Sequence, residues 1–135
     1  MLKNSRSKFI ILFICLLISF PGYSRWEKIH ENVYSSEYFR VDTAKKIDGF
    51  IYIWSMADYN EPKKEGFLST KYFSKFDCSK ARYKVLSIIE YKTQMGKGRD
   101  FQYTKNISDE KESTDWVYPE KDTSDYIKID FVCNF

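Results

Sequence analysis

The feature that most constrains the fold is an alternating apolar run near the middle of the chain. Between residues 82 and 91, aromatic and β-branched side chains occupy every second position except Ser87, and this spacing is the period of a β-strand. Leu86 and Ile88 occupy intervening positions, so both sides of the run are apolar at its middle. A strand with two apolar sides lies inside a sheet, and we therefore expect this run to be the central strand. Gly96 and Gly98 follow it and predict a chain reversal.

Shorter segments with the same period predict further strands before and after this run. Their ranges are 25–31, 33–41, 50–56, 70–77, 99–103 and 116–118. A polar connection at 42–49 and a loop at 58–66, which contains proline and glycine, separate some of them. The charged segment 105–115 predicts a mobile loop. The fold class that this pattern indicates is mainly β.

The end of the chain is compatible with two structures. From Ile127 to Cys133, apolar side chains alternate as they do in a strand. Thr123 or Ser124 could instead cap a short helix, which would place Tyr126 and Ile129 on one stripe. The periodicity leaves both structures open.

The first 24 residues predict a secretory signal peptide. Three basic residues precede an unbroken run of 12 apolar or small residues at 9–20, and small residues lie at positions −3 and −1 if cleavage follows Ser24. As a helix this run is about 18 Å long, too short for a bilayer core of roughly 30 Å. Cys15 lies inside the run, so we expect it to leave with the signal rather than carry a lipid. The expected product is one domain, 25–135, without a transmembrane span, located at the cell surface, secreted or in the periplasm.

Charge and cysteine content change once this segment is set aside. Three of the 22 basic residues and none of the 19 acidic residues lie in it, so the domain has no net formal charge and a nucleic-acid partner is not expected. Cys78 and Cys133 are the cysteines that remain. An even count in an exported chain indicates one disulfide between them.

Candidate catalytic and metal-ligating residues are sparse. His30 is the sole histidine, and no motif around it indicates a nucleophile paired with a base. Neither Cys78 nor Cys133 has a second ligand at the spacing of a zinc site. We therefore expect no cofactor, no metal and no enzymatic activity.

Basic and aromatic residues alternate along one predicted strand and the loop before it. Exposed tyrosines beside cations are typical of protein-binding surfaces. The candidate protein-binding residues are Tyr59, Lys63, Lys64, Lys71, Tyr72 and Lys75. The alternative is that Tyr72 and Phe76 belong to the core and that the lysines only confer solubility.

An ordered set of residues along residues 33–133 resembles the surface-adhesin protein E-like family of bacterial exported proteins. Its members are Tyr52, Trp54, Asp58, Tyr59, Pro62, Lys63, the segment 69–78, Arg82, Tyr83, Leu86, Ser87, Tyr91, Met95, Gly96, Gly98, Trp116, Val132 and Cys133. No single residue or motif of this set is specific to the family, but the set in this order is.

The resemblance implies a single twisted antiparallel sheet of about six strands, with a short C-terminal helix fastened by a disulfide. It favours the helix for the end of the chain and supports the pairing of Cys78 with Cys133. It also implies binding of host extracellular matrix or serum proteins such as laminin, vitronectin or plasminogen. The alternative function is a periplasmic envelope protein or an inhibitor, and a small exported enzyme is a weaker third. No ligand-binding residue transfers, because the shared residues are structural.

Overall fold

The structure is a computed structural model that describes residues 25–99, 101–104 and 116–135. The predicted signal peptide and the predicted loop at 105–115 lie outside these ranges. The strands are β1 (Trp26–Glu31), β2 (Ser35–Arg40), β3 (Lys45–Ile47), β4 (Phe50–Tyr59), β5 (Ser69–Asp77), β6 (Arg82–Tyr91) and β7 (Phe101–Thr104), and the helix is α1 (Ser124–Asn134).

The described strands form one antiparallel sheet. Their order is β1-β2-β4-β5-β6-β7, and β3 pairs with the beginning of β4 beyond the end of β2. The predicted mainly β class is confirmed. The strand β3 was missed, because its three residues, Lys45, Lys46 and Ile47, are all exposed and are too few to show an apolar alternation. The predicted strand at 116–118 is a single bridge in which Val117 pairs with Tyr83.

The prediction that the run at 82–91 lies inside the sheet is confirmed, but its predicted place at the centre is wrong. The centre of the sheet is β4 and β5, each paired along most of its length on both sides. Strand β6 is internal, but β7 pairs with it only from Ile88 to Tyr91. The sheet is therefore centred on β4 and β5, the two strands that precede this run in the sequence.

A β-bulge explains why β6 is apolar on both sides. Phe73 pairs with Ser87 and Ser74 pairs with Val85, so Leu86 is an extra residue without a partner on β5. Tyr83 and Val85 therefore lie on one side of the sheet, and the odd-numbered residues after the bulge lie on the other. The interruption of the alternation at Leu86 therefore marks the point at which the odd-numbered side chains change from one side of the sheet to the other. It does not indicate that the strand is buried on both sides.

The helix covers one side of the sheet, which we call the helix face. Ile129 and Val132 of α1 pack with Phe39, Ile53 and Phe76. Each of these sheet residues is at most 1% exposed. The ring of Phe131 stacks on Phe39 with centroids 5.5 Å apart, so the side chains of α1 continue the apolar core of the sheet.

A cap and a disulfide fix the helix at its two ends. The Thr123 hydroxyl accepts a hydrogen bond from the backbone N–H of Tyr126 at 3.2 Å, which satisfies one of the free donors of the first turn. Near the other end, Cys133 is bonded to Cys78, which follows β5. The helix and the Cys78–Cys133 disulfide are both confirmed.

The other side of the sheet, which we call the open face, carries no helix in the described part of the chain. The loop after β6 covers one end of it. There the Ser69 hydroxyl donates to Thr93 O at 2.6 Å and accepts from Gly96 N at 2.9 Å. Asp58 accepts from Met95 N at 2.5 Å. The predicted reversal at the two glycines is thus confirmed, and it leaves only the other end of the open face uncovered.

Candidate functional site

Aromatic and basic side chains fill the uncovered end of the open face. We call this surface the open patch; its residues are Lys45, Phe50, Tyr52, Trp54, Phe73, Lys75, Lys84 and Trp116. The side chains of β4 and β5 alternate strictly between the two sides of the sheet here, so one set lies in the open patch and the intervening set lies in the core. The ring centroids of Trp54 and Phe73 are 5.1 Å apart. Apart from the exposed Lys45, all are half-buried, so the patch presents ring edges and cations to solvent.

The cations of the open patch lie over its rings. The Lys75 Nζ is 3.8 Å from the centroid of Phe50, and the Lys84 Nζ is 5.0 Å from that of Trp116. The Arg82 guanidinium is 4.0 Å from the same indole. A cation over a ring face is attracted by the ring quadrupole. These contacts hold the positive charges close to the sheet.

Lys71 lies on the same face but under the loop after β6. Its Nζ donates to Gly96 O at 3.0 Å and is 4.7 Å from the centroid of Tyr91. Desolvation lowers the pKa of the Lys71 ammonium. The side chain therefore supports the loop, and little of it is available to a partner.

A second candidate surface lies where the β1–β2 turn meets the loop after β4. We call it the turn groove; it has a volume of about 290 Å³ and is lined by Val33, Tyr34, Asn60, Glu61, Pro62 and Lys63. Val33 is 79% exposed and Tyr34 is 75% exposed. Among the described large hydrophobic residues these two are the most exposed, and they are adjacent in the sequence.

The turn that carries these two side chains is fixed by hydrogen bonds. The Asn32 Oδ1 accepts from Tyr34 N at 2.8 Å and from Ser35 N at 3.0 Å. Asn60 Nδ2 donates to Val33 O at 2.9 Å, and Asn60 N donates to Tyr34 O at 3.0 Å. The side chains of Val33 and Tyr34 are thus presented to solvent on an ordered backbone.

The predicted protein-binding residues fall into two groups rather than one strip. Lys71 and Lys75 lie on the open face, whereas Tyr72 points to the helix face with Tyr59, their hydroxyls 3.3 Å apart. The Lys63 Nζ is 4.7 Å from the centroid of Tyr59, at the edge of the turn groove. Lys64 is exposed in the same loop. Their role in binding stays a prediction.

Sequence reasoning missed Val33 and Tyr34, which it assigned to a strand. The available signal was Asn32, because an asparagine side chain that bonds backbone N–H groups two and three positions on is typical of a turn. The alignment of lysines across the open patch was not visible either, because it depends on the register of four strands.

Charged groups on the helix face are used within the fold. The Tyr83 hydroxyl donates to Asp125 at 2.8 Å, and burial, with this bond, raises the pKa of the phenol. Lys128 lies 3.7 Å from Glu37; burial nevertheless raises the pKa of the Glu37 carboxyl. These pairs join α1 to β2 and β6.

The described residues contain no group of three or more His, Cys, Asp or Glu side chains placed to hold a metal ion. His30 lies at an irregularity of β1, opposite Glu37 on β2. Within the same ranges, no helix has the length and apolar character needed to cross a membrane.

Fold and surfaces together define a class: a small, single-sheet domain with a disulfide-fastened helix on one face and exposed aromatic surfaces elsewhere. The chain belongs to the surface-adhesin protein E family, whose model matches residues 26–134. The resemblance found in the sequence is thereby confirmed.

The fold is also similar to a solved structure, crystal form II of Haemophilus influenzae protein E. The TM-score is 0.60 at 14% sequence identity, and the match covers 84% of this chain and 90% of that chain. At this identity the likeness supports the fold and carries no ligand with it. No curated protein matches the chain significantly.

Proposed function

We propose that this protein is an exported, non-enzymatic binding module that attaches the bacterial surface to host extracellular matrix or serum proteins. Membership of a family of surface adhesins supports this function. Laminin, vitronectin and plasminogen are the partners that the family resemblance implies, and they are the ligands to be tested.

The observation that carries the proposal is the turn groove. Val33 and Tyr34 are held in solvent by a turn whose backbone is already ordered, so little conformational entropy is lost when a partner binds. Tyrosine beside an apolar residue on a rigid support is typical of binding hot spots. Lys63 lines the groove and Lys64 is the next, exposed residue of the same loop. Tyr59 connects Lys63 to Tyr72. We propose that these residues contribute to the same contact.

The test compares two double variants that remove the same kinds of side chain. Val33→Ser with Tyr34→Ser removes the exposed pair of the turn groove. Ile47→Ser with Tyr118→Ser removes an aliphatic side chain that is 50% exposed and a tyrosine that is 62% exposed elsewhere on the surface. Affinity for immobilised laminin, vitronectin and plasminogen is measured by surface plasmon resonance, after melting curves show that both variants fold.

We expect the turn-groove variant to bind at least about thirtyfold more weakly, because truncating a hot spot costs about 2 kcal/mol or more. The matched variant should bind as the wild type does. Equal loss in both would show that the turn groove is not the contact. Absence of wild-type binding to all three ligands would contradict the proposed partners.

The basic residues are tested with separate variants. Lys71 is left unchanged in them, because its side chain supports the loop after β6. Lys63→Glu with Lys64→Glu reverses charge at the turn groove, and Lys75→Glu reverses it in the open patch. If the contact is at the groove, the first variant weakens adherence and the second leaves it unchanged. The opposite pattern would place the protein contact on the open patch.

A further inference from the structure

Three lysines form a straight row across four strands of the open patch. In the register of the sheet, Lys45 on β3 is opposite Tyr52 on β4, Tyr52 is opposite Lys75 on β5, and Lys75 is opposite Lys84 on β6. Neighbouring strands are about 4.8 Å apart, so the row is roughly 14 Å long. We call these three residues the lysine row.

No described carboxylate forms a salt bridge with the lysine row. Asp77 lies two positions beyond Lys75 on the same side of β5, but its carboxylate pairs with Arg82 at 2.9 Å and accepts from Ser79 at 2.7 Å. Like charges placed directly opposite each other destabilise a sheet. Among the described residues, the pairing of Lys75 with Lys84 is therefore unfavourable, and an anion bound beside both lysines would offset that cost.

Two rings of the open patch, those of Phe50 and Trp116, hold its cations. Lys75 lies over Phe50, and both Lys84 and Arg82 lie over Trp116. Single-stranded nucleic acids bind by stacking bases on ring faces, and the rings beside the lysine row are covered by cations. A lysine ammonium has three N–H donors, so its contact with a ring leaves donors for an anionic ligand.

We propose that the lysine row is a binding site for a linear sulfated polysaccharide that runs across the strands. The straight arrangement of cations fits a polymer with anionic groups at intervals, and sulfate is permanently charged and accepts hydrogen bonds from ammonium groups. The site is separate from the turn groove, so this inference goes beyond the proposed function and does not depend on it.

The experiment measures binding of the purified protein to heparin by isothermal titration calorimetry over a range of salt concentrations. The row variant carries Lys45→Gln, Lys75→Gln and Lys84→Gln. A charge-matched control carries Lys92→Gln, Lys97→Gln and Lys121→Gln, three exposed lysines outside the row and outside the turn groove. Desulfated heparin, a single-stranded oligonucleotide and polyglutamate are the comparison ligands.

We expect the wild type and the control to bind heparin with the same affinity and the same salt dependence. The row variant should bind at least about tenfold more weakly. Its plot of log affinity against log salt should also be less steep, with a slope smaller in magnitude by about three, one for each lost cation contact. Heparin should also raise the melting temperature of the wild type and the control, but not that of the row variant.

Three results would overturn the proposal. They are no heparin binding by the wild type at physiological salt, equal loss of binding in the row variant and the control, and binding of desulfated heparin, the oligonucleotide or polyglutamate as tight as that of heparin. Because Lys45 is exposed, Lys45→Gln alone keeps the test valid if the triple variant does not fold. None of these results bears on adherence through the turn groove.

Discussion

At the residue scale, the contact between Lys71 and Gly96 joins the loop after β6 to the sheet. Gly96 has φ +57°, and an added Cβ would clash with Lys71 Cε and lie 2.9 Å from Lys71 Nζ. Gly66 has φ +84° but no atom within 4 Å of an added Cβ. Alanine substitution at each of the two glycines therefore distinguishes the cost of the backbone conformation, which both share, from the cost of the contact with Lys71, which only Gly96 makes.

We predict that Gly66→Ala lowers the free energy of unfolding by about 1 kcal/mol, the cost of a left-handed residue with a Cβ. Gly96→Ala should lower it by about 2 kcal/mol, because the end of the Lys71 side chain must also move and loses its hydrogen bond to Gly96 O. In a Lys71→Ala background, Gly96→Ala should cost only the backbone part. Urea denaturation measures all four variants, and equal effects at the two glycines would show that Lys71 does not restrict the loop.

The buried Tyr83 hydroxyl predicts a loss of stability at alkaline pH. Its pKa is raised in the folded protein, first by burial and then by the bond to Asp125, so the folded state holds the proton more tightly than the unfolded state. This contribution is complete below the ordinary tyrosine pKa of about 10 and is lost as the pH rises above it.

Tyr83→Phe should therefore flatten the decline of stability above about pH 10. At neutral pH it should cost about 1 kcal/mol through the lost hydrogen bond. Tyr34→Phe, at an exposed position, is the matched control. Urea denaturation at a series of pH values up to 11 makes the measurement, and an unchanged slope in Tyr83→Phe would contradict this account.

At the element scale, α1 depends on its disulfide as well as on its packing. The Cys78–Cys133 bond spans a sequence separation of 55 residues, and removing a native disulfide from a small exported domain costs about 2–5 kcal/mol. Cys133→Ser should accordingly lower the melting temperature by roughly 10 °C or more. Mass spectrometry of the non-reduced protein should find the linked peptide pair, and two alkylatable thiols would contradict the bond.

The elements also show where sequence reasoning succeeded. Period two and β-branched residues identified β1, β2, β4, β5, β6 and β7, because half-buried strands of an antiparallel sheet expose one side. The end of the chain stayed ambiguous in its periodicity, since the apolar residues of α1 fit both periods, and the family resemblance decided for the helix. Leu86 misled the analysis because a bulge and a doubly buried strand give the same interruption.

At the scale of the whole molecule, the two candidate surfaces depend on contacts that no local pattern encodes. The turn groove forms because Asn60 hydrogen-bonds the backbone of the turn that carries Val33 and Tyr34. Its bond to Val33 O joins two residues that are 27 positions apart in the sequence. The lysine row depends on the pairing of four strands, one of which, β3, has no sequence signature. The candidate residues of the sequence included Lys75, but its alignment with Lys45 and Lys84 required the register.

The proposed function also fixes where the molecule must be found. A module that attaches a bacterium to host proteins has to lie outside the cell envelope, whereas the alternative, a periplasmic envelope protein or inhibitor, is enclosed by the outer membrane. The two functions therefore predict different accessibility to a protease added to intact cells.

Protease digestion of intact cells tests the central claim most directly, with immunoblotting of the full-length chain and of a known periplasmic protein as an internal control. We predict that the chain is degraded or released while the periplasmic control stays intact. If the chain is protected until the outer membrane is permeabilised, and is then degraded together with the control, the adhesin function is contradicted and the periplasmic alternative is favoured.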